Sequence, residues 1–412
     1  MTRGATMNRP TPTAAQAEET ARRIHAEHIV IDSLAPSFVD EWALTPAMIE
    51  IGKALQAQGG SRPAIKKAMA EHLIAQCAQD PETRETYLSY WRRSGVTACN
   101  YTLYASGPPD TALDATIASA RRAETLMASL GGQVTLATNA AQLEAAHRDG
   151  RHAVMYNLQN AEPVGADLGR VEVLHELGVR SMQLTYNLRT RFADGCLETN
   201  DGGLSRFGAA LVERMNARRM MVDLSHASAN TARDAVAASR APIVATHTAA
   251  RALSGHPRGL PDDVLKGIAD GGGYAGVVVL PAFILPAEGD GRAEKHGKPR
   301  SWATLDTVVD HLQHLVNVMG EDHVGVGTDW GKPYYNALAW TPSMIRPESG
   351  SFNWVGWRPQ DRFDPNAQTL DLETWDKWPN LTAAMLRRGM AESTVVKIVG
   401  ANYMRVFREI CG

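Results

Sequence analysis

From residue 133 onward the chain alternates short β-type apolar runs with helical stretches, and this beat limits its fold more than any other feature. Strand-like Gln133–Ala137 precedes a helix over Ala140–Asp149, and Ala153–Asn157 precedes Gly169–Leu177. Ser181–Leu184 leads through a glycine-rich loop to Ser205–Arg218, then two runs follow that end on His226 and His247. Further on come a helix over Pro261–Asp270, a strand over Tyr274–Leu280, a helix over Leu305–Met319 and the run Val324-Gly-Val-Gly-Thr-Asp329. Helices over Leu381–Arg388 and Glu392–Val399 close the chain. Upstream, His28–Asp32 and Gly95–Leu103 read as strands, with a helical insertion over 41–93 between them and a helix over Thr111–Leu130 after them. Eight or nine such units without a solenoid period predict an α/β (β/α)8 TIM barrel. A doubly wound open sheet is the rival, but no GxGxxG links a strand to a helix here. The predicted organisation is a disordered tail over 1–13 and one barrel domain over 14–412.

Such folds keep their chemistry at the carboxyl ends of parallel strands. Val222-Asp-Leu-Ser-His226 and Pro242-Ile-Val-Ala-Thr-His247 end on histidines in consecutive β-α units, and the run ending at Asp329 ends on an acid. Two imidazoles and a carboxylate on three strand ends suggest a metal centre with a proton acceptor beside it. Among 13 histidines a structural role is the ordinary one, and His147, His152, His175, His311 and His314 read as surface positions on polar helical segments. Between Trp330 and Trp378 the character changes: six of the nine tryptophans fall there with many prolines, predicting a lid or pocket wall over 330–380.

Composition removes other classes. The net charge of −3 and the lack of a basic run argue against nucleic acid as a partner. No apolar stretch reaches membrane-spanning length, and the Thr/Pro-rich N-terminus lacks the apolar core of a secretion signal, so a cytoplasmic protein with no membrane partner is expected. The four cysteines form no CxxC pair and fit packing in a reducing compartment; Cys196, in its Gly-flanked loop, has no histidine close in sequence to activate it as a nucleophile.

A set of motifs in fixed order sharpens the reading. Ile-Val-Ile-Asp32, Gln183-Leu-Thr-Tyr-Asn187, Gly203-Leu-Ser-Arg-Phe-Gly208, Val222-Asp-Leu-Ser-His-Ala-Ser228, Thr246-His-Thr-Ala-Ala250, His256-Pro-Arg-Gly-Leu-Pro-Asp-Asp263, Gly325-Val-Gly-Thr-Asp329 and Val399-Gly-Ala-Asn-Tyr-Met-Arg-Val-Phe407 resemble the membrane (renal) dipeptidase family, peptidase family M19, of the amidohydrolase-like hydrolases. The resemblance implies a TIM barrel, a binuclear zinc site that hydrolyses dipeptides in typical members, and a homodimer. It makes His226 and His247 ligands of the second metal, Asp329 the catalytic acid near the bridging water, and Arg258 the residue that holds a substrate carboxylate through paired hydrogen bonds.

Other positions depart from the family. Leu34-Ala35-Pro36 stands where the family has His-x-Asp, and Gln159, in Asn157-Leu-Gln159-Asn160, stands where it has a bridging glutamate. Tyr186 replaces a substrate-side histidine, and Val277 to Leu280 replace polar and tyrosine positions. Leucine and proline cannot ligate a metal, so the first metal site is expected to be absent, and a site of His226, His247 and Gln159 lacks an anionic ligand unless Asp329 supplies it.

The leading expectation is therefore a dipeptidase-like hydrolase acting on an amide or related bond of a small carboxylate-bearing molecule. It would use one zinc or other divalent metal at most, with Asp329, His226 and Tyr186 catalytic and Arg258, Tyr186, Asn157 and Trp330 contacting substrate. A metal-free lyase, isomerase or tautomerase using the same pocket is the alternative, and a non-catalytic binding protein is the third.

Overall fold

The structure, a computed structural model, describes residues 12–35, 44–60, 62–103, 109–329, 364 and 367–412. Trp330, the aromatic stretch up to residue 363, Pro36 and the tail to residue 11 lie outside the described residues.

Nine strands form one parallel sheet: β1 (Ile31–Ala35), β2 (Ala98–Thr102), β3 (Val134–Leu136), β4 (His152–Leu158), β5 (Val179–Gln183), β6 (Met221–Asp223), β7 (Val244–Thr248), β8 (Tyr274–Val277) and β9 (Val324–Val326). The order β1-β2-β4-β5-β6-β7-β8-β9 gives the eight staves of a barrel, while β3 pairs with the first half of β4. β9 comes back to β1 through the Asp329 N–H, which donates to Leu34 O at 2.8 Å. That closure decides for the TIM barrel over the open doubly wound sheet.

Several boundaries differ from the expectation. The first strand runs on to Ala35, past Asp32, and the described residues of the insertion between β1 and β2 form three helices, Pro46–Ala57, Arg62–Gln79 and Pro81–Ser94. Asp80 caps the last of these, accepting from the N–H groups of Glu82 and Thr83, and Gly95 ends it in the left-handed conformation. β6 stops at Asp223 and β9 at Val326, so His226 and Asp329 sit three residues beyond their strands, His226 in a turn. A final helix, Asn402–Cys411, has no counterpart among the predicted elements. Its Tyr403, Phe407 and Ile410 are buried with Ile31, Ala98, Met155, Met221 and Tyr274 in a cluster inside the barrel. Tyr403 Oη accepts from Asn100 Nδ2 at 2.8 Å, and its ring meets Tyr274 edge-on at 5.4 Å. Among the described residues no helix is long and apolar enough to cross a membrane.

Small residues let β1 lean across the interior. Ser33 Oγ donates to Thr246 O (2.6 Å) and lies 2.9 Å from Val326 O. A Cβ at Gly276 or Gly327 would meet Thr246 O at 2.4 and 2.0 Å and Ser33 Oγ at 2.5 and 2.7 Å, so both glycines are required by close approach.

The β1–β9 seam is held by one carboxylate. Fully buried Asp32 accepts from Thr328 N (2.8 Å), Thr328 Oγ1 (2.6 Å), Leu34 N (3.3 Å) and the indole nitrogens of Trp375 (2.8 Å) and Trp378 (3.3 Å). Burial pushes this carboxyl up to about 6 against the pull of the Thr328 and tryptophan bonds, so it is ionised at pH 7.5. Trp375 and Trp378, expected as part of a lid, are buried anchors that fasten the chain after residue 367 to the first strand. Asp32→Ala leaves four donors of Thr328 and the two indoles without their acceptor, and a lost partner costs about 1–3 kcal/mol for each buried group. The expected result at pH 7.5 is a loss of at least ~3 kcal/mol of unfolding free energy in urea; a loss below ~1 kcal/mol contradicts the clasp.

Candidate active site

The clasp at the β1–β9 seam recurs at the β6–β7 seam, and there it carries the histidines. Asp223 Oδ1 accepts from Ser225 N (2.9 Å) and Thr246 N (3.0 Å), while Oδ2 accepts from Thr246 Oγ1 (2.5 Å) and Gln183 Nε2 (3.4 Å). Thr246 has a single hydroxyl proton and gives it to the carboxylate. Its contact with His247 Nδ1, at 2.9 Å, therefore runs the other way, with Nδ1–H donating to Thr246 Oγ1.

His226 is fixed from another side. Its backbone is left-handed, with φ of 68°, one of four non-glycine residues with positive φ among the described residues; Asp329, at 48°, is another. Such strain costs about 1–3 kcal/mol and concentrates where geometry serves function. The His226 carbonyl accepts from Cys196 N at 2.8 Å. Asn187 Oδ1 accepts from the Cys196 thiol (3.4 Å) and from His226 Nδ1 (2.6 Å). Tyr186 stacks on the His226 ring, centroids 3.9 Å apart and planes 23° from parallel.

Both imidazoles thus spend their proton on Nδ1. Their Nε2 atoms face each other at 3.0 Å, each with a lone pair and neither with a proton to share. Burial above all, then the Arg258 guanidinium, and for His226 also the neighbouring His247, hold both rings well below the ordinary imidazole value. At neutral pH the two lone pairs converge on one point that a cation would satisfy.

Arg258 completes the arrangement. It is 2% exposed; Nη2 donates to His247 O at 2.8 Å, while Nε and Nη1 are buried with no hydrogen-bond partner. Its ζ carbon lies 5.4 Å from the centroid of the Phe283 ring. Burial lowers its pKa, and the charges of Cys196, Asp329, Tyr186 and Asp223 oppose that shift.

The structure therefore brings His226, His247, Tyr186 and Arg258 together, with Asp329 near enough for its charge to act on Arg258. Gln159, expected as the third metal donor, is elsewhere engaged: its Nε2 donates to Thr102 Oγ1 at 3.0 Å. Asn157, at the end of β4, accepts from the same threonine at 3.1 Å. Leu34 is wholly buried and apolar. Among the described residues no group of three or more His, Cys, Asp and Glu is arranged to hold a metal. The two Nε2 lone pairs fit one divalent ion; a bridged second ion does not fit, because the Asp32 carboxylate on β1 is taken up by Thr328 and the two indoles, Leu34 is apolar and Gln159 is a neutral amide. Cys196, weighed as a nucleophile, is a buried donor to Asn187. Sequence reasoning passed over Asn187, Thr246 and Asp223 as working residues, although each lies inside a motif that it singled out.

Known proteins resemble this chain along most of its length. Residues 18–337 match the family described as membrane dipeptidase, peptidase family M19. The dipeptidase verJ of Clonostachys rogersoniana is 28% identical over 288 residues, which is 69% of this chain and 62% of that protein. The dipeptidase aclJ of Aspergillus oryzae is 29% identical over 266 residues, 64% of this chain and 53% of that one. The chain thus spans about half to three-fifths of these relatives' own lengths. Among solved structures, an amidohydrolase from Pseudomonas aeruginosa superposes with a TM-score of 0.70 at 26% identity, covering 95% of this chain and 99% of that one.

Five buried or largely buried histidines set a pH dependence. Burial lowers His25, His152 and His311 to about 4, and His226 and His247 fall well below 6.5. In the unfolded chain each takes a proton near 6.5 that the folded chain refuses, so stability is full above pH 6.5 and is lost as pH falls toward 4. Unfolding free energy between pH 7.5 and 5 is expected to fall by about 1 kcal/mol per histidine for each unit below 6.5; a flat profile contradicts the buried neutral imidazoles.

Proposed function

The chain belongs to the membrane dipeptidase family, peptidase family M19, and from that premise we propose that it hydrolyses an amide or related bond of a small carboxylate-bearing molecule with one divalent metal ion at most. The observation that carries this reading is Arg258, a buried guanidinium with two nitrogens unpaired next to two convergent imidazole lone pairs. A buried guanidinium with two unpaired donors is costly, and a substrate carboxylate on Nε and Nη1 would relieve it through two parallel hydrogen bonds.

His226 and His247 would hold the ion through Nε2. Bound there, a zinc or similar ion polarises a carbonyl and makes water more acidic. The residues of the chain do the rest. Arg258 fixes the carboxylate end of the substrate and so sets the register of the scissile bond. Tyr186 covers one face of His226 and holds the ring against rotation. Asp329, on its left-handed backbone, takes a proton from the attacking water as the carbon–oxygen bond forms. It then returns that proton to the leaving nitrogen as the carbon–nitrogen bond breaks. With neither a bridging carboxylate nor a second cluster of donors, the ion is held weakly.

Elemental analysis of protein supplied with zinc is expected to find about one ion per chain, and none in His247→Ala. Two ions per chain contradict the half-site. In assays of N-acyl amino acids and dipeptides, Arg258→Lys should raise KM at least ~tenfold while kcat changes less, because a point charge replaces a two-pronged donor. An unchanged KM contradicts the carboxylate assignment.

A further inference from the structure

Barrel interiors are ordinarily packed with branched apolar side chains. Here a line of polar ones crosses the inside of the barrel from β2 to β7: Thr102, Asn157, Ser181, Gln183, Asp223 and Thr246, all buried except Thr102, which is half-buried. The sheet register sets them side by side, with Thr102 opposite Asn157, Asn157 opposite Ser181 and Gln183 opposite Asp223. The line ends at the Thr246–His247 contact, so it runs directly into the imidazole pair.

Its amide orientations are fixed by their partners. Gln159 Nε2 donates to Thr102 Oγ1, and Thr102 passes its own proton to Asn157 Oδ1, which leaves Asn157 Nδ2 unpaired. Asp223 is a carboxylate and only accepts, so Gln183 turns Nε2 toward it and its Oε1 is left unpaired. Ser181 Oγ, between them, has no partner either. One donor, one acceptor and one hydroxyl that serves as either therefore lie on adjacent strands, all buried.

Mixed polarity discriminates among ligand groups. An ammonium brings only donors and would be opposed by Asn157 Nδ2; a carboxylate brings only acceptors and would be opposed by Gln183 Oε1. A neutral amide brings a carbonyl for Asn157 and an N–H for Gln183. We propose that the β4–β5 wall of the barrel is a subsite for a neutral amide, so that the preferred substrate is N-acylated and carries no free ammonium at that end. This rests on the reading of Arg258 as the carboxylate site at the other end of the molecule. It deepens that reading by naming the group at the far side of the scissile bond.

The test is a ligand-observed NMR titration of the full chain with N-acetylglycyl-L-alanine and with glycyl-L-alanine, which reports bound and cleaved ligand separately. The acetylated peptide is expected to bind about tenfold more tightly, and Asn157→Leu should abolish that preference. Ser181→Ala, a smaller change, should reduce the preference and serves if Asn157→Leu does not fold. Equal binding of the two peptides, or a preference untouched by the variants, overturns the subsite and leaves the carboxylate reading standing; internal water satisfying these groups would give that result. Failure of both peptides to bind overturns the underlying reading as well.

Discussion

One hydroxyl proton, the one Thr246 gives to Asp223, governs both the seam between β6 and β7 and the chemistry above it. The ladder between those strands pairs only Asp223 with Val244, so the carboxylate and its donors carry much of that seam. Once Thr246 has spent its proton, His247 can only donate through Nδ1, and its Nε2 is bare. A threonine that kept its proton for the histidine would reverse the tautomer. Fold and site thus share a single bond, and the same Asp–Thr device at Asp32 and Thr328 closes the barrel without touching an imidazole.

What remains around the histidines is electrostatically lopsided. The site contains a buried guanidinium and two bare nitrogens facing each other, while the Asp223 carboxylate bonded to Thr246 is saturated by donors. The β1 and β4 side, where the family resemblance leads one to expect anionic ligands, has Leu34 and a glutamine bonded to a threonine. The balance is set by loss of negative charge, which weakens the hold on any cation and makes the guanidinium the dominant feature a substrate meets. Left-handed backbone at His226 and Asp329 indicates that the surrounding structure still holds both residues in a costly conformation.

Much of this was legible in the sequence. Strand–helix alternation gave the barrel, because period-two runs and period-3.6 stretches differ wherever they exceed four or five residues. The short strands were read too long for a physical reason. Val222 to His226 is continuous in pattern, yet the carboxylate of Asp223 takes the Ser225 N–H and bends the chain out of the sheet. The closing helix, Asn402–Cys411, was missed because its first residues continue a π-helical turn, Lys397–Ala401, that blurs the helical period. Among site residues, His226, His247 and Arg258 stood out as chemistry-bearing types. Asn187 and Thr246 did not, since a tautomer is set by contacts between distant segments. Gln159 joins the histidines only through the family resemblance, and the bond to Thr102 shows where its amide goes.

The central claim is that both histidines present bare Nε2 lone pairs to one point, and imidazole nitrogen NMR tests it without any substrate. In metal-free protein at pH 7.5, with 15N-labelled histidine, His226 and His247 should each show a protonated Nδ1 and an unprotonated Nε2. One equivalent of zinc should then shift both Nε2 signals and leave the Nδ1 protons in place. A protonated Nε2 on either ring before zinc is added would contradict the account.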